Sequence, residues 1–164
     1  MVSSAHALSL PVIDFSQLNG SPQQRQAFLE TLGNAAREVG FFYLTGHGIS
    51  PQLLAEVQRV SWQFFALPEA EKLSVKMAHS PHFRGYNRAG SELTRGQPDY
   101  REQFDIGAER DAVADNTAPV WQRMQGPNQW PQALPALRTV LTRWQQEMTH
   151  VALELLRAFA EALS

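Results

Sequence analysis

The sequence predicts an α+β fold in which helices dominate and a few short strands accompany them. Apolar residues recur at helical spacing in three long segments. Two short runs, "PVI" and "FFYL", are rich in β-branched or aromatic residues, as buried strands are. Proline and glycine stand at most of the boundaries between these segments. Together these patterns predict one mixed domain of helices and strands.

The first strand and the first helix are predicted from residues 10 to 40. "LPVIDF" at 10 to 15 opens with Pro11, which suits the start of a strand. Ser21, Pro22 and Gln24 have the spacing of an N-cap, a first-turn proline and a capping-box partner, so a helix is expected to begin there. Gly40 is expected to end it. The apolar stripe of this helix consists of Phe28, Leu32, Ala35, Ala36 and Val39.

The segment from residue 41 to residue 74 repeats this order of strand and helix. "FFYL" is predicted to be a strand buried on both faces, ended by the turn Thr45 to Gly48. Ser50 and Pro51 predict a second helix, which Pro68 interrupts before a short helical turn. The apolar face of the second helix contains Leu53, Val57, Val60 and Phe64.

The second half of the chain combines irregular segments with one long helix. Residues 77 to 100 lose periodicity and are predicted to form an irregular loop, of the kind that often lines a binding site. "YREQFDI" at 100 to 106 alternates like a half-buried strand, with Tyr100, Glu102, Phe104 and Ile106 on one face. A helix is expected from Leu134 almost to Ser164. Its stripe contains Leu134, Leu137, Leu141, Trp144, Met148, Val151, Leu155 and Phe159.

Composition excludes several classes of protein. The 164 residues carry a net charge of −2, which gives no reason to expect a nucleic-acid partner. No window resembles a membrane span or a signal peptide, so a cytoplasmic location without a membrane partner is expected. The chain has no cysteine, which excludes disulfides and thiolate ligands. Any metal would therefore need histidine and carboxylate ligands.

Six motifs, in this order, resemble the N-terminal region of isopenicillin N synthase-like oxygenases, which depend on iron(II) and 2-oxoglutarate. They are "LPVIDF", "AAREVGFFYLTGHGI", "FFALPEAEKL", "FRGYN", "DYREQFDIG" and "GPNQWP". The resemblance covers nearly the whole chain, although many members have Asn where this chain has Gly46. It implies that residues 1–164 are an N-terminal domain that pads a catalytic jelly roll (a double-stranded β-helix) lying beyond this chain.

The resemblance also implies where the chemistry lies. The family holds iron with two histidines and one carboxylate, in a His-x-Asp motif and a later histidine, and binds 2-oxoglutarate with a following Arg-x-Ser. None of His6, His47, His79, His82 and His150 has an acidic residue two positions on. We therefore expect no catalytic and no metal residue here, and no Arg-x-Ser. Iron(II) and 2-oxoglutarate would act only in the complete enzyme.

Arg84 and Tyr86 in "FRGYN" are the candidate substrate-binding residues. The resemblance places this loop at the mouth of the iron pocket, and Arg suits a carboxylate while Tyr offers a hydroxyl on an apolar ring. A surface arginine and a packed tyrosine are the structural alternative. His47, between two glycines, is interpreted as a turn residue, and His79 and His82 as solvated loop residues.

Three further features are interpreted as structural. Glu102 is expected to find an ion-pair or backbone partner rather than to act in catalysis. The four tryptophans, Trp62, Trp121, Trp130 and Trp144, are assigned to packing. "ERDAVAD" at 109 to 115 is interpreted as a solvated loop.

Three functions remain open at this point. The chain is the N-terminal portion of an oxygenase that oxidises a small molecule and is inactive alone, or a non-catalytic partner-binding module derived from that family, or an unrelated small α+β domain. The family includes hydroxylases, desaturases, ring-closing oxidases and ethylene-forming enzymes, among which this sequence does not choose. The chain alone is expected to self-associate through exposed apolar surface.

Overall fold

The computed structural model describes residues 9–91, 93–113 and 117–163. Its helices are α1 (Pro22–Glu38), α2 (Pro51–Phe65), α3 (Glu69–Ser74) and α4 (Ala136–Ala162). Its strands are β1 (Val12–Asp14), β2 (Tyr43–Thr45), β3 (Gly85–Asn87), β4 (Leu93–Thr94), β5 (Gln97–Pro98) and β6 (Gln103–Asp105). This mixture of helices and short strands agrees with the predicted α+β class. The chain forms two compact units, one of residues 1–50 with 147–164 and one of residues 51–146.

The first unit is built on a strand, helix, strand segment. Strands β1 and β2 pair in parallel, with Ile13 opposite Leu44, and α1 connects them. The predicted capping box is confirmed, because Ser21 Oγ accepts from the Gln24 amide at 3.3 Å and Gln24 Oε1 accepts from the Ser21 amide at 2.8 Å. Helix α1 ends at Glu38, and Gly40 follows with φ +80°.

The core of the first unit forms around α1. Phe28 and Leu32 are buried as predicted, and the Phe15 ring meets the Phe28 ring edge-on at 6.0 Å. Ala36, which was predicted to be buried, is exposed, whereas Leu29, which was not part of the predicted stripe, is buried. The part of α4 that belongs to this unit adds the buried residues Val151 and Ala158, and Phe159 contacts Phe42.

The prediction that the segment "FFYL" is a strand buried on both faces is wrong. The strand runs from Tyr43 to Thr45, and Phe41 and Tyr43 are 72% and 61% exposed. Val12, the register partner of Tyr43, is 64% exposed. The sheet has two strands in the described part of the chain, and the face that carries these side chains is largely exposed. This leaves an exposed apolar patch formed by Val12, Phe41 and Tyr43.

The second unit is centred on α2 and a small antiparallel sheet. Leu53, Val60 and Phe64 of α2 are buried as predicted, and Phe64 lies against Tyr86 and Phe104. Strand β3 pairs with β6, and Tyr86 stands opposite Phe104. Helix α3 begins directly after Pro68, as expected.

The segment from 77 to 100 is more ordered than predicted. It contains a single 3-10 turn at Met77–His79, strand β3, and the β4–β5 hairpin, whose turn residues Arg95 and Gly96 both have positive φ. These strands have two or three residues, which is too short for a period-two pattern to appear in the sequence. Tyr100, predicted on the half-buried face of the next strand, is 86% exposed and precedes β6.

The last helix starts two residues later than predicted. Leu134 lies in the turn before α4, because Pro135 disfavours helical backbone at the residue that precedes it. Leu137 and Val140 are buried in the second unit, while Met148, predicted on the apolar stripe, is 40% exposed. Within the residues described, no helix is both long and apolar enough to cross a membrane.

Candidate functional site

A partly buried ion pair connects three elements of the second unit next to the predicted substrate loop. Lys72 on α3 donates to both carboxylate oxygens of Glu102, at 2.9 and 3.1 Å, and to the Phe65 carbonyl at 3.3 Å. The Tyr86 hydroxyl donates to Glu102 Oε1 at 2.9 Å. We call Lys72, Tyr86 and Glu102 the triad. Of the two partners predicted for Glu102, an ion pair or backbone donors, the structure shows the ion pair.

The three residues of the triad differ strongly in solvent exposure. The Lys72 side chain is 9% exposed and Tyr86 is 0% exposed, whereas 34% of the Glu102 side chain is exposed. The hydrogen bond from Lys72 lowers the pKa of Glu102, and the hydrogen bond to Glu102 raises the pKa of Lys72 against the effect of burial. Burial, with the hydrogen bond to Glu102, raises the pKa of Tyr86. Near neutral pH the triad therefore consists of an ammonium, a carboxylate and a neutral phenol.

Arg84 precedes Tyr86 by two residues, but its guanidinium bonds to its own loop. Arg84 Nη1 donates to the carbonyl oxygens of His82 and Phe83, at 2.8 and 3.1 Å. The guanidinium also lies against Gly107, where an added Cβ would collide with it. Arg84 Nε is buried without a hydrogen-bond partner. One donor of this side chain is thus unused in the present arrangement.

The backbone around Arg84 is held on both sides. Gln129 Nε2 donates to the Arg84 carbonyl at 2.8 Å, and the His82 ring contacts the Arg123 carbonyl at 2.7 Å through Nδ1. Phe83 has φ +55°, which is uncommon for an aromatic residue, and it is 60% exposed. Gly85 follows with φ +123°, where a Cβ would collide with the Val75 carbonyl. The loop is therefore fixed in shape.

The other residues singled out in the sequence have clear local roles. His47 Nδ1 accepts from the Ile49 amide at 3.2 Å, between Gly46 and Gly48, which both have positive φ, as the turn interpretation requires. His79 is exposed, but His82 is half-buried through its ring contact rather than solvated.

Three sequence interpretations need correction. Trp62 and Trp121 are 78% and 64% exposed, so packing does not account for them. Glu109 is not simply solvated, because it accepts from Trp130 Nε1 at 3.0 Å and pairs with Arg138. Residues 114–116 of the predicted solvated loop lie outside the described part.

The expectation that the chain has no Arg-x-Ser is wrong. One such motif, Arg59 to Ser61, lies on α2, where the Arg59 side chain donates a hydrogen bond to Gln63.

The residues present do not fit an iron site. In residues 9–91, 93–113 and 117–163, no three His, Asp or Glu side chains are grouped so that they could hold a metal ion. That the chain alone binds no iron stays a prediction, because only measurement can test it.

The ion-pair partner Lys72 was not predicted from the sequence. Its only sequence signal is a lysine in the short helical turn that follows Pro68.

The fold and these motifs define the N-terminal region of a non-haem oxygenase. The family model described as "non-haem dioxygenase in morphine synthesis N-terminal" matches residues 10–133. The chain belongs to this family, as the N-terminal part of a 2-oxoglutarate-dependent dioxygenase.

Named relatives agree with this assignment. The chain is 34% identical to homoarginine-6-hydroxylase 2-ODD-C23.1 of Arabidopsis thaliana, over 95% of its own length and 49% of the relative's. It is 35% identical to the 2-oxoglutarate-dependent dioxygenase frbJ of a Dothideomycetidae species, over 94% of its own length and 41% of the relative's. The chain spans about half the length of the curated relatives it matches, or less.

A solved structure supports the fold. A full-length Neurospora crassa protein, crystallised in complex with alpha-KG, superposes with a TM-score of 0.75 at 27% identity, covering 96% of this chain and 48% of that one.

Proposed function

We propose that this chain is the N-terminal portion of an iron(II) and 2-oxoglutarate-dependent oxygenase that oxidises a small molecule and is inactive without its catalytic jelly roll. The observation that supports this most strongly is the match of nearly the whole chain to only about half of each oxygenase relative. The first relative is named for hydroxylation of homoarginine, and the Neurospora crassa protein was crystallised with alpha-KG. Both of these ligands are small molecules.

The division of labour follows from the residues described above. The iron and 2-oxoglutarate would be held by the jelly roll, because the described residues include no group of three metal ligands. This portion would supply a fixed substrate loop, held by Gln129 and by the Arg123 carbonyl. Its contribution to catalysis would be binding and orientation of the substrate.

Arg84 and Tyr86 are proposed as the substrate-binding residues of this loop. Arg84 is half-buried, and its planar set of N–H donors suits a carboxylate, which supports a role for the guanidinium in substrate binding. Tyr86 is 0% exposed, and its hydroxyl already donates to Glu102. In this arrangement Arg84 would make the direct contact with the substrate, and Tyr86 would support the loop through its hydrogen bond to Glu102.

Reading the gene past the codon for Ser164 and assaying the encoded protein tests this function. We expect an in-frame His-x-Asp, a later His and an Arg-x-Ser. We also expect iron-dependent conversion of 2-oxoglutarate to succinate by the complete protein, and none by residues 1–164 alone. Substitution of the His-x-Asp histidine by alanine is the control and should abolish succinate formation. A frame without these residues, or succinate formation by the chain alone, contradicts the proposal.

A further inference from the structure

The Arg84 guanidinium lies directly against Gly107, two residues after the end of β6. A Cβ added at Gly107 would overlap Nη2, Nε and Cζ of Arg84, so this close approach depends on the absence of a side chain. The φ of Gly107 lies outside the left-handed region, unlike that of Gly85, so its backbone conformation is open to other residues. The contact with Arg84, and not the backbone, is therefore what calls for glycine at this position.

The side chain of Asn128 holds both polar groups of the Gly107 backbone. Asn128 Oδ1 accepts from the Gly107 amide at 2.8 Å, and Asn128 Nδ2 donates to the Gly107 carbonyl at 2.8 Å. These two bonds resemble a hydrogen-bonded pair in an antiparallel ladder, with a side-chain amide in place of a second strand. Gly107 thus has a fixed position although it lies outside the sheet.

Glu109 holds Asn128 in turn. It accepts from the Asn128 amide at 2.9 Å and from Trp130 Nε1 at 3.0 Å, and it lies 3.3 Å from Arg138 on α4. Burial alone would raise the pKa of Glu109, but the hydrogen bonds from Trp130 and Asn128 outweigh it and lower the pKa. The carboxylate is therefore ionised near neutral pH, and the support of Gly107 extends to the last helix.

The donors of Arg84 are unequally available. Nη1 donates to the carbonyl oxygens of His82 and Phe83, and Nε is buried. No hydrogen bond engages Nη2 within the described residues, so its N–H groups are the ones left for a ligand. A single charge-assisted hydrogen bond depends on its direction, because no second bond of a bidentate pair corrects it. The orientation of the guanidinium therefore matters for binding.

We propose that Gly107 is a positioning residue, which directs the Arg84 guanidinium toward the carboxylate of a small-molecule substrate. Gly107 would not contact the substrate. It acts because it has no side chain and because Asn128 fixes its backbone. This inference rests on the proposed function, in which Arg84 binds the substrate, and deepens it by naming a carboxylate as the group that is bound.

The first test follows the Arg84 Nε–H signal by NMR in the complete protein, labelled with isotope-enriched arginine. The signal is identified by its loss in Arg84→Ala. In Gly107→Ala the methyl group should displace the guanidinium, so we expect Nε–H to exchange with solvent about tenfold faster than in the wild type. Gly33→Ala is the matched control, because it also places a methyl group beside a guanidinium, that of Arg37, and should leave the signal unchanged. Unchanged exchange in Gly107→Ala overturns the proposal.

The second test measures binding of hexanoate to the complete protein by ligand-observed NMR, with hexanamide as the uncharged control. We expect the wild type to bind hexanoate about tenfold more tightly than hexanamide, and Gly107→Ala to weaken hexanoate binding about fivefold. In Arg84→Ala, the further change Gly107→Ala should have no effect, because no guanidinium is left to displace. A general structural effect would persist there. Equal affinity of the wild type for both probes, or the same loss in the Arg84→Ala background, overturns the proposal.

Succinate formation by the same preparations separates this inference from the proposed function. A protein that forms succinate but binds hexanoate equally well with and without the Gly107→Ala change keeps the function and loses the inference. A protein that forms no succinate loses the function, and the two NMR measurements still decide whether Gly107 positions Arg84.

Discussion

Lys72 Nζ and Glu102 Oε1 lie 2.9 Å apart, although the two residues are 30 positions apart in the chain. The pair connects α3 to the segment that leads into β6, and the Tyr86 hydroxyl joins it from β3. It therefore ties three elements of the second unit together, and one of them, β3, follows Arg84 directly in the chain.

Removal of the carboxylate should destabilise the chain more than removal of the ammonium. Glu102→Gln leaves the buried Lys72 ammonium without a counter-ion and should cost about 3 kcal/mol. Lys72→Met leaves a carboxylate that is 34% exposed and can still be hydrated, so we expect a cost of about 1 kcal/mol. Urea unfolding measures both free energies. Arg88→Ala, which breaks an exposed pair with Glu69, is the control and should change stability little. A larger loss for Lys72→Met would contradict this order.

The same pair predicts a loss of stability in acid. The hydrogen bond from Lys72 holds the pKa of Glu102 below its ordinary value of 4.5. The stabilisation is therefore present above 4.5 and is lost as the pH falls through the lower, folded-state pKa. The pKa of Lys72 is raised above 10.5, so its contribution is lost only as the pH rises through that higher value.

Urea midpoints measured from neutral to acidic pH test this sign. We expect the midpoint to fall on acidification below 4.5, and to fall less steeply in Lys72→Met, in which Glu102 has lost the main cause of its shift. A Lys72→Met variant with the same acid dependence as the wild type would refute the assignment.

Arg84 should matter for the substrate and not for 2-oxoglutarate. In the complete enzyme, Arg84→Ala should raise the KM for the primary substrate about tenfold, because a charge-assisted hydrogen bond is lost. The KM for 2-oxoglutarate should stay within about twofold, since that ligand would use other residues. Steady-state kinetics measures both values. Arg88→Ala, at a nearby exposed arginine, is the matched control. Equal losses for both ligands, or for neither, count against the assignment.

The exposed patch of Val12, Phe41 and Tyr43 predicts that the isolated chain associates with itself or binds ANS. The double change Phe41→Ser and Tyr43→Thr should reduce both effects while it keeps a strand-compatible residue in β2. Light scattering and dye fluorescence are the measurements. The control is Trp121→Ser, which removes an exposed aromatic from the other unit. A dye-negative monomer with a sharp cooperative melt would show that the prediction is wrong.

Local sequence signals predicted the helices well and the contacts between distant segments poorly. The capping box of Ser21 and Gln24 determined the start of α1, because each cap contact spans three residues. Strands β3 to β5 have no more than three residues each, so they leave no periodic signal. The need of Glu102 for a partner could be predicted from its position near Phe104, but not the choice of Lys72. That choice depends on how α3 packs, which no local pattern encodes.

The most direct test of the proposed division of labour is an anaerobic titration with iron(II) and 2-oxoglutarate, followed by absorption spectroscopy. We predict a metal-to-ligand charge-transfer band for the complete enzyme and none for residues 1–164, because the described residues of this chain include no group of three metal ligands. A band from the chain alone, saturating at one iron per chain, would contradict this division.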